Sequence, residues 1–187
     1  ISSFDTMELR YSPARMAASL GEPVRSYMST LLDDLRGYAD EFDTTSESLM
    51  LLGNAGLGKT HAALAIAGKV LEKGFDVIYV SSPDFFSKLE ALHFGSDPAG
   101  EEEMLLRTAA GADLLILDEV MAAINTGMLS VQQVAELIEH RPPQLELVMT
   151  GRNPPQQLVE LSDYVSQIEK KKHPFDNGIP ARDGIER

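Results

Sequence analysis

The sequence predicts an α/β domain of three layers, a mainly parallel five-stranded sheet with helices on both faces. Three observations predict it. Strand-like apolar runs alternate with helix-like stretches along most of the chain, the pattern of βα units whose strands lie parallel. The run Leu114-Leu115-Ile116-Leu117 is apolar at every position, as a strand covered on both faces must be. A glycine-rich stretch from Gly53 to Thr60 sits between a strand signal and a helix signal, where open α/β sheets make their ligand-binding turns.

Each element has its own signal. Pro23 suits the first position of a helix whose face carries Val24, Tyr27, Met28, Leu31, Leu35 and Tyr38. The polar residues 43–48 end that pattern, and Ser48 to Leu52 reads as a short buried strand. After the glycine-rich loop, His61 to Lys73 is an alanine-rich helix stopped at Lys73-Gly74. Asp76 to Val80 is a strand, and Ser82-Pro83 starts a helix to about Leu92 as cap and first position. Asp97-Pro98 repeats that signal for a helix to about Ala110, with Glu101-Glu102-Glu103 as a solvated start favoured by the helix dipole. Asp113 to Leu117 is the doubly covered strand. Ser130 and Gln133 form a capping box ahead of Val134, Leu137 and Ile138. Leu145 to Met149 is a strand, Asn153-Pro154-Pro155-Gln156 caps a helix to about Ser162, and Tyr164 to Ile168 is the last strand. Residues 170–187 hold two prolines and two glycines and read as an irregular tail. No repeat and no low-complexity tract is present.

Composition bounds the function. The 187 residues amount to one domain, long enough to bury a core without staples. Cysteine is absent, which excludes a disulfide scaffold, a cysteine-ligated metal and a cysteine nucleophile. The formal charge is −13, which repels a phosphate backbone and argues against a nucleic-acid partner. Residues 166–187 are the exception, carrying Lys170, Lys171, Lys172, Arg182 and Arg187 against four acids; such clusters are usually solvated surface. No apolar run approaches the roughly 20 residues of a membrane span, and Ile1 to Asp5 lacks the basic start of a secretory signal, so no membrane partner is expected.

The stretch Gly53-Asn54-Ala55-Gly56-Leu57-Gly58-Lys59-Thr60 matches G-x-x-x-x-G-K-[ST] at every fixed position. Its glycines let the backbone fold into an anion-binding nest, and the following helix N-terminus adds partial positive charge. Lys59 supplies a cation for the β- and γ-phosphates of a nucleoside triphosphate, and Thr60 a hydroxyl for Mg²⁺. The partner signal is Leu117-Asp118-Glu119. Asp118 at the C-terminal end of a buried strand would hold Mg²⁺ through its water shell, and Glu119 would polarise an attacking water as general base; a solvated carboxylate capping a loop is the alternative for Glu119. His61, at the end of the nucleotide-binding stretch, is counted with it, although an exposed helix residue is the better explanation of it. Thr150-Gly151-Arg152-Asn153 follows a strand and should reach the same sheet edge. There Thr150 or Asn153 would sense the γ-phosphate and Arg152 would contact a ligand anion; a simple helix N-cap explains Asn153 equally well. His93 and His140 have no partner in sequence, and the methionines are core fillers.

Two family resemblances follow. Residues 1 to about 119 resemble the bacterial replicative-helicase-loader AAA+ ATPase family (DnaC/IstB-like), through Leu51 to His61, Val77 to Asp84 and Asp113 to Asp118. From about Asp113 to Arg187 the chain resembles the corrinoid (cob(I)alamin) adenosyltransferase family (CobA/BtuR type). That likeness rests on Leu117-Asp118-Glu119, Thr150 to Pro155, and Lys172-His173-Pro174-Phe175-Asp176-Asn177-Gly178-Ile179-Pro180-Ala181 with Gly184-Ile185-Glu186. The two overlap in the strand ending at Asp118, which is the natural crossover.

The double resemblance implies a P-loop NTPase fold with strand order 5-1-4-3-2. Residues 1–48 form an N-terminal segment, 49–119 a loader-like half and 120–187 an adenosyltransferase-like half of one domain. It implies ATP and Mg²⁺ as cofactors, a cytoplasmic location and a monomer or dimer. Each likeness departs from its family. The loader's sensor asparagine and arginine finger have no counterpart after Asp118, and the adenosyltransferase's own phosphate loop has none before it. The expected function is therefore a chimeric, engineered or recombined domain that binds Mg-ATP with weak or absent hydrolysis. The alternatives are a corrinoid adenosyltransferase and a loader-like ATPase that binds a helicase or single-stranded DNA.

Overall fold

The computed structural model describes residues 2–7, 16–17, 22–43, 47–95 and 100–168. Five strands form one sheet: β1 (Leu49–Gly53), β2 (Val77–Ser81), β3 (Leu114–Asp118), β4 (Glu146–Gly151) and β5 (Tyr164–Ile168). Every pairing is parallel and the order is β2-β3-β4-β1-β5, the expected order read from the other edge. Seven helices accompany them among the described residues: α1 (Val24–Glu41), α2 (Lys59–Glu72), α3 (Ser82–Phe94), α4 (Glu101–Ala110), α5 (Val120–Asn125), α6 (Val131–His140) and α7 (Gln156–Leu161). A 3-10 turn over Phe4–Thr6 and a short antiparallel pairing of Met16–Ala17 with Glu22–Pro23 precede them.

The apolar pattern sorts the layers. Strands β1, β3 and β4 are buried at every residue, because each has helices on both faces and a neighbour on both edges. Leu49, Leu51, Leu114, Ile116 and Val148 face Leu31, Leu35 and Ala39 of α1 and the alanines of α2. Met50, Leu52, Leu115, Leu117, Leu147 and Met149 face α5, α6 and α7. Small side chains at Ala62, Ala63, Ala65 and Ala67 let α2 lie close to the sheet. Its end is a Schellman motif: Gly74 N–H donates to Leu71 O at 2.9 Å and Phe75 N–H to Val70 O, with Gly74 at φ 88°. The stop expected at Lys73-Gly74 is therefore present.

Several boundaries move, for local reasons. Pro23 is the N-cap of α1, not its first residue. The cap of α3 is Ser81, so Ser82 already lies in the helix. Helix α4 begins at Glu101 behind Gly100 in the left-handed region, and Asp97-Pro98 lies outside the described residues. The N-cap of α7 is Pro155, which overturns the reading of Asn153 as a cap; Asn153 instead sits in the turn before it at φ 50°. The capping box forms as expected, with Ser130 Oγ accepting from Gln133 N–H at 3.1 Å and Gln133 Oε1 from Ser130 N–H at 2.9 Å. Helix α5 has no counterpart among the sequence expectations; six residues are too few to display a helical period. The tail 170–187, with the stretch from Lys172 to Glu186, lies outside the described residues.

Candidate functional site

The parallel registers bring the C-terminal ends of all five strands to one edge. Ser81 pairs with Asp118, Leu52 with Gly151, and Gly53 with Ile168. At that edge β1 runs into the Gly53–Thr60 loop. Gly53, Gly56 and Gly58 take φ of 148°, 74° and 87°, values that side chains disfavour. At Gly53 a side chain also has no room, since a Cβ would lie 2.4 Å from the Ile168 carbonyl oxygen. Gly58 is the N-cap of α2, so the unpaired amides of that helix open toward the loop. Asn54, Ala55 and Gly56 are exposed, while Leu57 is half-buried and packs on the core.

Lys59 is 8% exposed and donates from Nζ to Asn54 O at 2.9 Å. Burial holds its ammonium below the ordinary lysine range; the charges of Glu119 and Asp118 oppose this and that of Arg152 adds to it. The loop thus stores a cation against its own backbone, within the field of Glu119, Arg152 and Asp118. Thr60 Oγ1 donates to Asp118, 2.9 Å from Oδ2 and 3.2 Å from Oδ1. Two further hydroxyls converge on the same carboxylate. Tyr79 Oη donates to Oδ2 at 2.7 Å, and Thr150 Oγ1 donates to Oδ1. Burial and the Asp118 bond push the Tyr79 phenol above its ordinary value. Thr150, fully buried, also accepts the Glu119 N–H at 2.9 Å. That bond fixes the backbone of Glu119, which takes a left-handed φ of 56° as the N-cap of α5 and leaves its side chain exposed.

Lys59, Thr60, Asp118 and Glu119 therefore meet at one place, as the sequence predicts, and Arg152 is exposed at the same edge. His61 departs from the exposed-helix expectation. It is half-buried, and its Nε2 lies 2.9 Å from Thr6 Oγ1 and 3.2 Å from Ser3 O, tying the N-terminal turn to α2. Tyr79 and the Ser3–Thr6 turn were missed, since both reach the site through tertiary packing. The donor set fits a magnesium–triphosphate group: a backbone nest, a buried ammonium, and a hydroxyl beside a carboxylate. Among the described residues no cluster of three or more His, Cys, Asp or Glu forms a self-contained metal site, and no helix is long and apolar enough to cross a membrane.

The opposite end of the strands holds a second polar group. Glu146, at the start of β4, is 3% exposed, and its Oε2 has no hydrogen-bond partner among the described residues. Burial pushes its carboxyl up to about 7; Arg141 opposes this, and Asp163, Glu47 and Asp43 add to it. Tyr38 Oη and Ser48 Oγ are likewise buried without partners among the described residues. Ser48 N–H donates to Asp163 Oδ2 at 2.9 Å, and Arg141 lies 3.7 Å from the same oxygen.

The fold is that of the P-loop NTPases. Comparison with known proteins divides the chain. The family model for ATP:corrinoid adenosyltransferase BtuR/CobO/CobP matches residues 98–187. The corrinoid adenosyltransferase of Escherichia coli K12 is 34% identical over 74 residues, 40% of this chain and 38% of that protein. The replicative helicase loader DnaC of the same strain is 34% identical over 89 residues, 48% of this chain and 36% of that protein. The chain thus spans about a third of the length of these curated relatives. A crystal structure of the DnaC helicase loader superposes with a TM-score of 0.57 at 19% identity, covering 91% of this chain and 97% of that one. The chain is similar to both families, as its two sets of motifs imply.

Proposed function

We propose that this chain is a composite P-loop domain that binds Mg-ATP, or another nucleoside triphosphate, and hydrolyses it slowly or not at all. The observation that carries the reading is the Thr60–Asp118 hydrogen bond beside the Lys59 loop, which sets a hydroxyl and a carboxylate where a phosphate-bound cation needs them. The amides of the Gly53–Thr60 loop and the start of α2 cradle the phosphates. Lys59 exchanges the Asn54 carbonyl for β- and γ-phosphate oxygens. Thr60 would ligate Mg²⁺ and Asp118 would hold its water shell, and the metal would supply charge neutralisation of the triphosphate. Arg152 faces the ligand anion, and His61 braces the first turn of α2. Glu119 serves as general base for water, and its exposed carboxylate, outside a water-excluded pocket, makes hydrolysis slow.

The domain reads as residues 1–48 ahead of a loader-like half, 49–119, and an adenosyltransferase-like half, 120–187, joined by engineering or recombination. Corrinoid adenosyl transfer is the second reading, favoured by the family match over 98–187. Against it stands a phosphate loop of the loader kind. Binding of single-stranded DNA or a helicase is the third, and the net charge of −13 weighs against DNA. The domain acts in the cytoplasm, without a membrane partner, as a monomer or dimer. Calorimetric titration with ATP and Mg²⁺ tests the first reading. The intact chain binds and Lys59→Ala binds at least about tenfold more weakly, as loss of a charge-assisted contact demands; equal affinities would sink the proposal. Anaerobic incubation with reduced cobalamin and ATP, followed by the absorbance of the adenosylated product, tests the second.

A further inference from the structure

Asp118 carries more donors than a waiting metal site needs. A carboxylate offers about four lone-pair positions, and three hydroxyls already crowd it: Thr60 contacts both oxygens, Thr150 donates to Oδ1 and Tyr79 to Oδ2. Two of the three are fixed. Thr150 is fully buried and also holds the Glu119 N–H. Thr60 belongs to the first turn of α2. Thr60 is exposed as Tyr79 is, but its short side chain stays on the helix, whereas Tyr79 carries its hydroxyl at the end of a long one. It stands on β2, an edge strand of the sheet, and is 38% exposed, so its ring turns about two side-chain bonds and its hydroxyl finds water when it leaves. It also shares Oδ2 with Thr60, at 2.7 Å against 2.9 Å. A water on a cation held by Thr60 would reach for that oxygen.

We propose that Tyr79 is a positioning residue that occupies the metal-facing oxygen of Asp118 and gives way when Mg-nucleotide binds, so that it sets the magnesium dependence of binding. This rests on the nucleotide reading above. Tyr79 keeps the carboxylate oriented and hydrogen-bonded in the free protein, and the metal's water shell must then displace a bond to a charged group. Tyr79 bonds to Asp118 and not to the Gly53–Thr60 loop, so nucleotide without metal is expected to leave it in place.

Tyr79→Phe keeps the ring and deletes only the hydroxyl. Calorimetric titration of both proteins with ATP in excess Mg²⁺, and again in EDTA, separates the contributions. The expected result is about threefold to tenfold tighter binding by Tyr79→Phe in Mg²⁺, with no change in EDTA. Equal or weaker binding in Mg²⁺ would overturn the proposal, since a fixed Tyr79 supports the site. Tyrosine emission is an independent measurement on the unmodified chain, which has five Tyr and no Trp. Mg-ATP should change that emission and ATP in EDTA should not, as the phenol leaves the carboxylate only in the first case; identical spectra would count against displacement. If the unmodified chain bound ATP in neither condition, the nucleotide reading itself would fail, and this inference with it.

Discussion

Asp118 and Glu146 are acids on neighbouring strands, buried to nearly the same extent, at opposite ends of the strands of one sheet. Three hydroxyls surround Asp118, whereas one oxygen of Glu146 has no partner among the described residues. Burial without enough donors drives a carboxyl toward its neutral form, as at Glu146. The two ends also differ in what they hold nearby. The Asp118 end gathers a lysine and an arginine, while the Glu146 end adds Asp43, Glu47 and Asp163 against Arg141.

Thr150→Val breaks the comparison most strongly. It strips a donor from Asp118 and the acceptor from the Glu119 N–H in a fully buried place, and should cost about 2–3 kcal/mol in urea unfolding; a loss within experimental error would mean that the hydroxyls around Asp118 do little. Glu146→Gln should act in the other direction. The folded carboxyl titrates near 7 against 4.5 for the unfolded chain, so the folded state keeps a proton that the unfolded state releases. Stability then falls as pH rises from about 4.5 to about 7 and is level above that. The glutamine variant escapes this fall. It should be more stable than the parent by about 1–3 kcal/mol at pH 8, with the gap closing toward pH 4.5; a gap independent of pH would refute the assignment. Tyr38→Phe is the smallest of the three. Its hydroxyl has no partner among the described residues, so removal should leave stability unchanged or raise it by up to about 1 kcal/mol, measured by the thermal midpoint.

The strands and the phosphate loop were legible because their signals are local. Leu114 to Leu117 is apolar at every residue, and Gly53 to Thr60 carries its conformation in its glycines. The pair Thr60 and Asp118 could be named because strand ends in a parallel sheet share one edge. What escaped depends on pairing between distant segments. Tyr79 meets Asp118 because β2 lies beside β3 in the register Ser81 to Asp118, and nothing near Tyr79 in sequence announces it. His61 takes its partner from Thr6, 55 residues earlier. Asn153 had the composition of a cap, but two prolines follow it and the second, Pro155, is the N-cap of the helix.

The position of β1 has a kinetic consequence. It is made early in the chain, yet both of its neighbours, β4 and β5, are made late. Ser48 closes on Asp163 across 115 residues, so the centre of the sheet assembles by long-range closure and not by adding adjacent units. Such wiring is slow to fold, because the entropy of closing the chain is lost before the contacts that repay it form. Until β5 arrives, Leu49 to Leu52 stand as an unpaired apolar edge, and folding yield should fall as protein concentration rises.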